Sequence, residues 1–288
     1  MLPRKWPQSR LSDCGPRGFR PRLAGGFGTT GLTIDHLWAV STLIFAPFIG
    51  SFIGLLTLRL PAGRPWALSR SACDACGRTL GVVDLIPLLS FLVLRGRCRT
   101  CHAAIPPRYL LLEGGCLLIA LWSALTQTGV MVPVTAILGW GLLLIAIIDA
   151  EHLWLPDRLT LPLGLVGALL TVGFANASPW TPLLGAAAGF CGLAAIAWLY
   201  KRVRGFDGMG GGDPRLLGAI GAWVGWQGLP SVLIWACVAG LSVAASKAIV
   251  RRRLAPGQEL PFGAFLAIGA WLTWLWGPLH VLIRDGLA

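Results

Sequence analysis

Apolar and polar positions along this chain do not alternate. They come in long blocks. Leu37 to Leu58 carries no charge and is long enough for one helix across ~30 Å of hydrocarbon. Residues 109–150 follow a polar loop, with Glu113 the only charge between Arg108 and Asp149. The polar stretch from Thr126 to Pro133 divides that block into two helices. Residues 159–200 are uncharged and split at Asn176-Ala177-Ser178-Pro179. Residues 216–246 are also uncharged, with Leu229-Pro230 in the middle. As one helix this block is too long, so two are predicted, the first Gly-rich and short at about 15 residues. A last apolar block runs to about Ile283. The pattern predicts an all-α polytopic membrane protein with eight transmembrane helices and both ends on the periplasmic side.

Composition agrees. Hydrophobic residues make up 55% of the 288-residue chain and charged residues only 12%, with mean hydropathy +0.71. Soluble domains carry about 25% charged residues. The net charge of +12 raises nucleic acid as a partner. The basic residues gather in loops between apolar blocks, however, which is the positive-inside pattern of a chain whose surroundings are membrane lipids. Nucleic-acid binding is set aside. Residues 1–35 are polar and basic, without helical or strand period, and lack a signal-peptide pattern. They read as a disordered tail, or as sequence translated from a start codon placed too far upstream. Residues 36–58 are then the first membrane helix, 59–108 a small cytoplasmic domain and 109–284 a membrane domain.

The cytoplasmic assignment of residues 59–108 rests on eight arginines against two acids, Asp74 and Asp84. Within that loop, Cys73-Asp74-Ala75-Cys76 and Cys98-Arg99-Thr100-Cys101 stand 21 residues apart. Two CxxC pairs at such spacing signal zinc, because each turn presents two thiolates and two turns close a tetrahedral S₄ shell. A closed shell is structural rather than catalytic. Disulfides are the rival reading, and a reducing cytoplasm argues against them. The apolar run Leu85 to Leu94 is too short to span, is broken by Pro87, and is expected to form the small domain's core. Cys14, Cys116, Cys191 and Cys237 are scattered and need no role.

Two acids stand at the edges of apolar blocks: Asp149 in Ile147-Ile148-Asp149-Ala150, and Asp213 after Gly208-Met209-Gly210-Gly211-Gly212. A charged side chain in hydrocarbon costs roughly 3 kcal/mol on insertion scales, so such acids are functional candidates by default. Two of them suggest an acid/base pair that activates water. The Gly-rich loop lacks the GK[ST] ending of a phosphate-binding loop and no strand precedes it. Its glycines suit a backbone folded closely around Asp213. Asp157 reads as a helix N-terminal charge, and His152, with no second His nearby, as an interfacial residue.

At these residues the chain resembles the type IV prepilin peptidases, a branch of the GxGD-type membrane aspartic proteases. Gly210-Gly211-Gly212-Asp213 fits GxGD, and the block through Trp223 is similar to GMGxGDxKLLAxxGAW. Gly50 to Pro61, Cys73 to Glu113, Asp149 to Asp157 and Pro261 to Leu266 match further family blocks in the same order. Departures are Gly54 for Asn, Asp84 for Asn, Pro214 and Arg215 for Phe and Lys, and Ala264 for Pro. The resemblance implies a bacterial inner-membrane enzyme acting at the cytoplasmic face. It would cut the short basic leader from type IV prepilins or type II secretion pseudopilins after a Gly, then methylate the new N-terminus from S-adenosylmethionine. It further implies Asp149 and Asp213 as catalytic, Gly210, Gly212 and Glu113 as supporting, and the cysteine domain as holding the leader or supporting methyl transfer. For Glu113, an interfacial carboxylate pairing with Arg108 stands beside the supporting role. Two alternatives remain: a peptidase without methyltransferase activity, and a proton-coupled transporter. The transporter predicts inverted repeats, which the sequence lacks, and gives no reason for two CxxC pairs.

Overall fold

In the computed structural model, the described residues are 34–65, 71–73, 75–81, 83–174, 178–206, 209–251 and 260–286. The basic segment 1–33, Asp74, Gly208 and Arg252-Arg253 lie outside them. Helices dominate, because lipid offers no hydrogen-bond partners and a helix satisfies its own backbone. In order they are α1 (Ile34–Arg59), α2 (Leu89–Val93), α3 (Arg108–Thr126), α4 (Met131–His152), α5 (Asp157–Phe174), α6 (Trp180–Arg204), α7 (Asp213–Arg251), α8 (Phe262–Trp276) and α9 (Leu279–Gly286). Five of them, α1, α3, α4, α6 and α7, are long and apolar enough to cross a membrane, and α8 is a shorter apolar helix.

The block 216–246 breaks at Gly225 (φ 69°, ψ 170°), not at Leu229-Pro230. The contacts on either side show that the chain turns back there. Along the first arm, Gly164 of α5 faces Ala219 and Gly167 faces Trp223, so α5 runs parallel to that arm. Along the second, Gly228 faces Thr273, Val232 faces Gly269 and Gly240 faces Phe265, which is antiparallel to α8. A positive φ is available to Gly at no steric cost, which is why the reversal needs no separate loop. The first arm, 213–224, spans only about 18 Å, less than the hydrocarbon thickness. The total of eight crossings expected from the pattern is therefore not established by helix length. The last block also divides, at Gly277, so α8 ends at Trp276 rather than near Ile283.

Small residues let the helices touch backbone to backbone, the usual membrane device where apolar side chains have no water to avoid. A Cβ on Gly185 of α6 would collide with the Gly221 carbonyl, and one on Gly189 would stand 2.5 Å from the Leu217 carbonyl oxygen. Gly50 of α1 meets the backbone of Glu113 on α3 in the same way, at 2.5 Å from its Cα. Gly54, where the family pattern has Asn, lies against the Tyr109 ring. Half of α4's residues are buried, from Val132 to Asp149 along its length. One face packs on Leu216, Ile220 and Leu266, the other on Ile53, Leu112 and Cys116. Asp149 thus rides on the helix that both halves of the bundle grip.

The segment between α1 and α3 is organised differently. Leu89, Leu92 and Val93 are 55%, 65% and 68% exposed, and Leu85 is 41% exposed. The expected apolar core of Leu85 to Leu94 does not exist. So small a unit buries too little apolar surface to hold itself together. Its order comes from the cysteine cluster and from Asp84, whose carboxylate accepts hydrogen bonds from Arg78 (2.7 Å), Arg99 (3.0 Å) and the Gly81 N–H (3.2 Å). The Gly81 N–H, then the two guanidinium groups, hold the Asp84 carboxyl below the usual carboxylate range.

Gly185→Val should loosen the α6–α7 seam, lowering stability by about 1–3 kcal/mol, the usual range for overpacking. Gly192→Ala, on the same helix with nothing within 4 Å of the added Cβ, should leave it unchanged or slightly raised. Thermal unfolding in detergent checks both. Equal melting temperatures for the two variants would contradict the backbone-contact assignment.

Candidate functional site

Asp149 lies in the last turn of α4. That helix stops because Leu153 takes a left-handed conformation (φ 51°) and returns its N–H to the Asp149 carbonyl at 2.8 Å. Leu155 and Pro156 then lead into α5. Asp213 opens α7 directly after the glycines, with its N–H on the Gly210 carbonyl at 3.2 Å. The two positions, 64 residues apart in sequence, meet through shared neighbours. A Cβ on Gly212 would stand 2.5 Å from Cβ of Leu155, and one on Gly263 would stand 2.8 Å from Cδ1 of the same leucine. Gly263 in turn faces Asp149 Oδ2 at 3.0 Å from that Cβ position, and the Ala264 N–H donates to Asp149 Oδ2 at 2.9 Å. Both aspartates are 4% exposed as residues. The structure therefore brings Asp149, Asp213, Gly210 and Gly212 together.

The glycines differ in what they do. Gly212 permits close approach to Leu155, and Gly210 sits 3.4 Å (as a Cβ position) from Asp213 Oδ2, whereas Gly211 has open space. Gly263 and Ala264 were missed as site residues. The Pro261-Phe262-Gly263 block was visible in the sequence, but nothing local ties it to an acid 114 positions earlier. The ion pair of Asp157 with Arg215, at 2.6 and 2.8 Å, was also missed. It joins the start of α5 to the start of α7, two residues beyond Asp213. The charge kept at Arg215 was the available signal. Both partners are nearly half exposed, so the pair contributes at most about 1 kcal/mol and acts by alignment.

Glu113 is not part of that carboxylate pair. It is buried, and its Oε2 accepts the Leu88 N–H at 2.7 Å, tying α3 to the cysteine segment. The pairing with Arg108 is overturned: Arg108 binds both carboxylate oxygens of Glu151, at 2.7 and 2.9 Å.

Cys73, Cys76, Cys98 and Cys101 converge, all four Sγ atoms within 4.8 Å of one another. They are free thiols, and Cys73 Sγ lies 3.7 Å from Cys101 Sγ, far beyond a disulfide. An edge of about 3.8 Å is what tetrahedral zinc with ~2.3 Å bonds to sulfur requires. The two CxxC turns are built alike. The Cys73 N–H donates to Arg78 and the Cys98 N–H to Ala103, and the bridges Ala72–Thr79 and Arg97–Ala104 close them. The N–H groups of Cys101 and Thr100 draw the Cys98 thiol down, while burial and the neighbouring thiols push Cys101 up, as in a cluster of thiols that share protons. The donor set fits zinc in a closed shell. Beside it lies an open cleft of about 510 Å³ whose charged and polar lining includes Arg95, Arg97, Arg99 and His102. Its arginines repel a basic leader peptide.

The first CxxC turn places Gly77 in the left-handed region (φ 69°), and the second places His102 at the equivalent position (φ 55°). His102→Gly should therefore keep the metal and stabilise the segment by about 1 kcal/mol. Serine at any of the four cysteines should release zinc and unfold the segment. Metal analysis of the purified protein, with chelator-release rates, checks both. No zinc in the wild type would overturn the metal assignment.

Comparison with known proteins places these features. Residues 44–127 match the Bacterial Peptidase A24 N-terminal domain, and residues 136–245 match the Type IV leader peptidase family. The chain is 36% identical over 274 residues to a prepilin leader peptidase/N-methyltransferase of Aeromonas salmonicida, covering 85% of this chain and 92% of that protein. It is 35% identical over 268 residues to the protein of that name from Pseudomonas aeruginosa, covering 83% and 91%. The Stutzerimonas stutzeri counterpart is 34% identical with the same coverage. No solved structure matches.

Proposed function

The chain belongs to the type IV leader peptidase family, and from that premise we propose how its own residues perform the reaction. The protein is a multi-pass inner-membrane enzyme that removes the leader peptide from prepilins and N-methylates the new N-terminus. Asp149 and Asp213 are the catalytic pair. The observation that carries this is their convergence: two buried carboxylates, from α4 and α7, meet around Leu155, with the α8 N-terminus donating to one of them.

Two buried carboxylates converging on one site share one proton more readily than they both ionise. The ionised member takes a proton from water, the water attacks the scissile carbonyl, and the protonated member donates to the carbonyl oxygen; the tetrahedral adduct then collapses, its C–N bond breaking as the first member passes the proton it took from water to the leaving amine nitrogen. The pair titrates as a unit, so the roles belong to the pair. The Ala264 N–H fixes the orientation of the Asp149 carboxylate, and the Asp157–Arg215 pair aligns the helix that presents Asp213. The cut falls after Gly, in prepilins or pseudopilins. The reaction takes place at the cytoplasmic face, since the arginine-rich cysteine segment and the basic end of α6 (Lys201, Arg202, Arg204) lie at the same helix ends as both aspartates. Zinc at the four cysteines supplies folding energy and no water activation. Methyl transfer from S-adenosylmethionine to the new N-terminus follows cleavage. The reading as a proton-coupled transporter gives no role to the cysteine cluster.

The direct test is to incubate the purified protein in detergent with a prepilin-like peptide, with and without S-adenosylmethionine, and read product masses. A cut after Gly is expected in both cases and an added methyl only with the donor. Intact peptide would sink the peptidase reading, and a cut product that is never methylated would favour a peptidase alone. Asp149→Asn and Asp213→Asn should each lose at least about a hundredfold in cleavage rate while the protein still accumulates in the membrane. Asp157→Asn should lose much less. Substantial cleavage by either member of the pair would refute the assignment. Gly212→Ala should slow cleavage sharply by forcing Leu155 and the loop apart, whereas Gly211→Ala should be near neutral. The reverse order would contradict the packing around Leu155.

A further inference from the structure

We propose that the Leu89–Arg97 edge of the cysteine segment lies on the membrane surface, with its apolar face in the interfacial layer and two arginines on anionic phospholipid headgroups. The first observation is exposure. Leu89, Leu92 and Val93 fall at i, i+3 and i+4 of α2 and form one outward face, 55–68% exposed. The opposite side of this short helix is used internally, where Phe91 packs its ring against Gly96; Pro87, two residues before the helix, is buried. A contiguous apolar patch of this kind on a polar segment marks an interaction surface.

The second observation fixes its depth. The Leu88 N–H donates to Glu113, five residues into a membrane-crossing helix. Five residues are about 7.5 Å of helix. The polar layer on each side of the hydrocarbon is about 5–8 Å deep. With Arg108 at the outer edge of that layer, the residue immediately before α2 lies within it, which is where the proposal places the exposed leucines.

The third observation is charge. Asp84 is occupied by Arg78 and Arg99, and Arg108 by Glu151. Arg95 and Arg97 have no acidic partner among the described residues, and both are exposed directly after the apolar face. Apolar side chains inserted at the interface with adjacent arginines are the makeup of a surface anchor for anionic lipid. The anchor would keep the metal-bound segment lying flat beside the aspartates. It also gives a use to the apolar run that forms no core, and to arginines that repel a basic leader.

The test is hydrogen–deuterium exchange of the full-length protein in nanodiscs of phosphatidylcholine, with or without phosphatidylglycerol. Backbone amides over residues 89–97 should exchange several-fold more slowly with phosphatidylglycerol present, and high salt should abolish the difference. Arg95→Gln and Arg97→Gln should each reduce the lipid-dependent protection, by up to roughly fivefold. Leu92→Ser with Val93→Ser, at exposed positions that leave the fold intact, should reduce protection in both lipids. Equal exchange in the two lipids, or protection that survives both arginine changes, would overturn the proposal. So would protection in detergent that rises with protein concentration, which would assign the face to a second copy. The measurement does not depend on peptide cleavage, so it stands or falls separately from the catalytic assignment.

Discussion

A carboxylate buried at the end of an apolar helix is stable only if something polar faces it. Here the Ala264 N–H faces Asp149 at 2.9 Å. An amide can come that close only where the chain has no side chain in the way, which is why Gly263 precedes it. A different close approach occurs at Gly212, beside Asp213, where the missing side chain makes room for Leu155. Much of the fold serves these two approaches. α4 is clamped from both sides so that Asp149 stays in place. α7 reverses at Gly225, which lets the chain come back and start α8 at the end of the bundle where Asp213 lies.

The two parts of the protein are stabilised by different physics. In the bundle, glycine contacts bring helix backbones together and dispersion does the rest, since lipid removes the hydrophobic drive between helices. Between α1 and α3 there is too little buried apolar surface for a core. Four thiols, one carboxylate held by two arginines and a backbone N–H, and one hydrogen bond to Glu113 replace it. The Glu113 link makes the small segment an extension of the membrane helices rather than an independent domain on a tether.

This explains why one plausible sequence reading failed. An apolar run in a cysteine-rich loop ordinarily reads as that loop's core. That inference assumes water on all sides. On the proposed membrane-surface placement, Leu89, Leu92 and Val93 need not be buried in protein. Likewise, pairing Glu113 with the nearby Arg108 followed from sequence proximity, but the helix directs Arg108 toward Glu151 on α4 instead.

By itself the sequence determined what depends on local composition and spacing. Uncharged blocks of helical length implied membrane helices, because unsatisfied backbone in lipid is prohibitive. The CxxC spacing implied a metal shell, and the intramembrane acids implied a site, because neither motif has a comfortable passive role. Other features were decided by contacts between residues far apart in the chain. These include the pairing of Gly263-Ala264 with Asp149, the reversal at Gly225 instead of Pro230, the Asp157–Arg215 alignment, and the placing of Glu113 under α2. No period or propensity encodes which helix end meets which. That follows from where small residues let two backbones touch, and only the packed bundle fixes it.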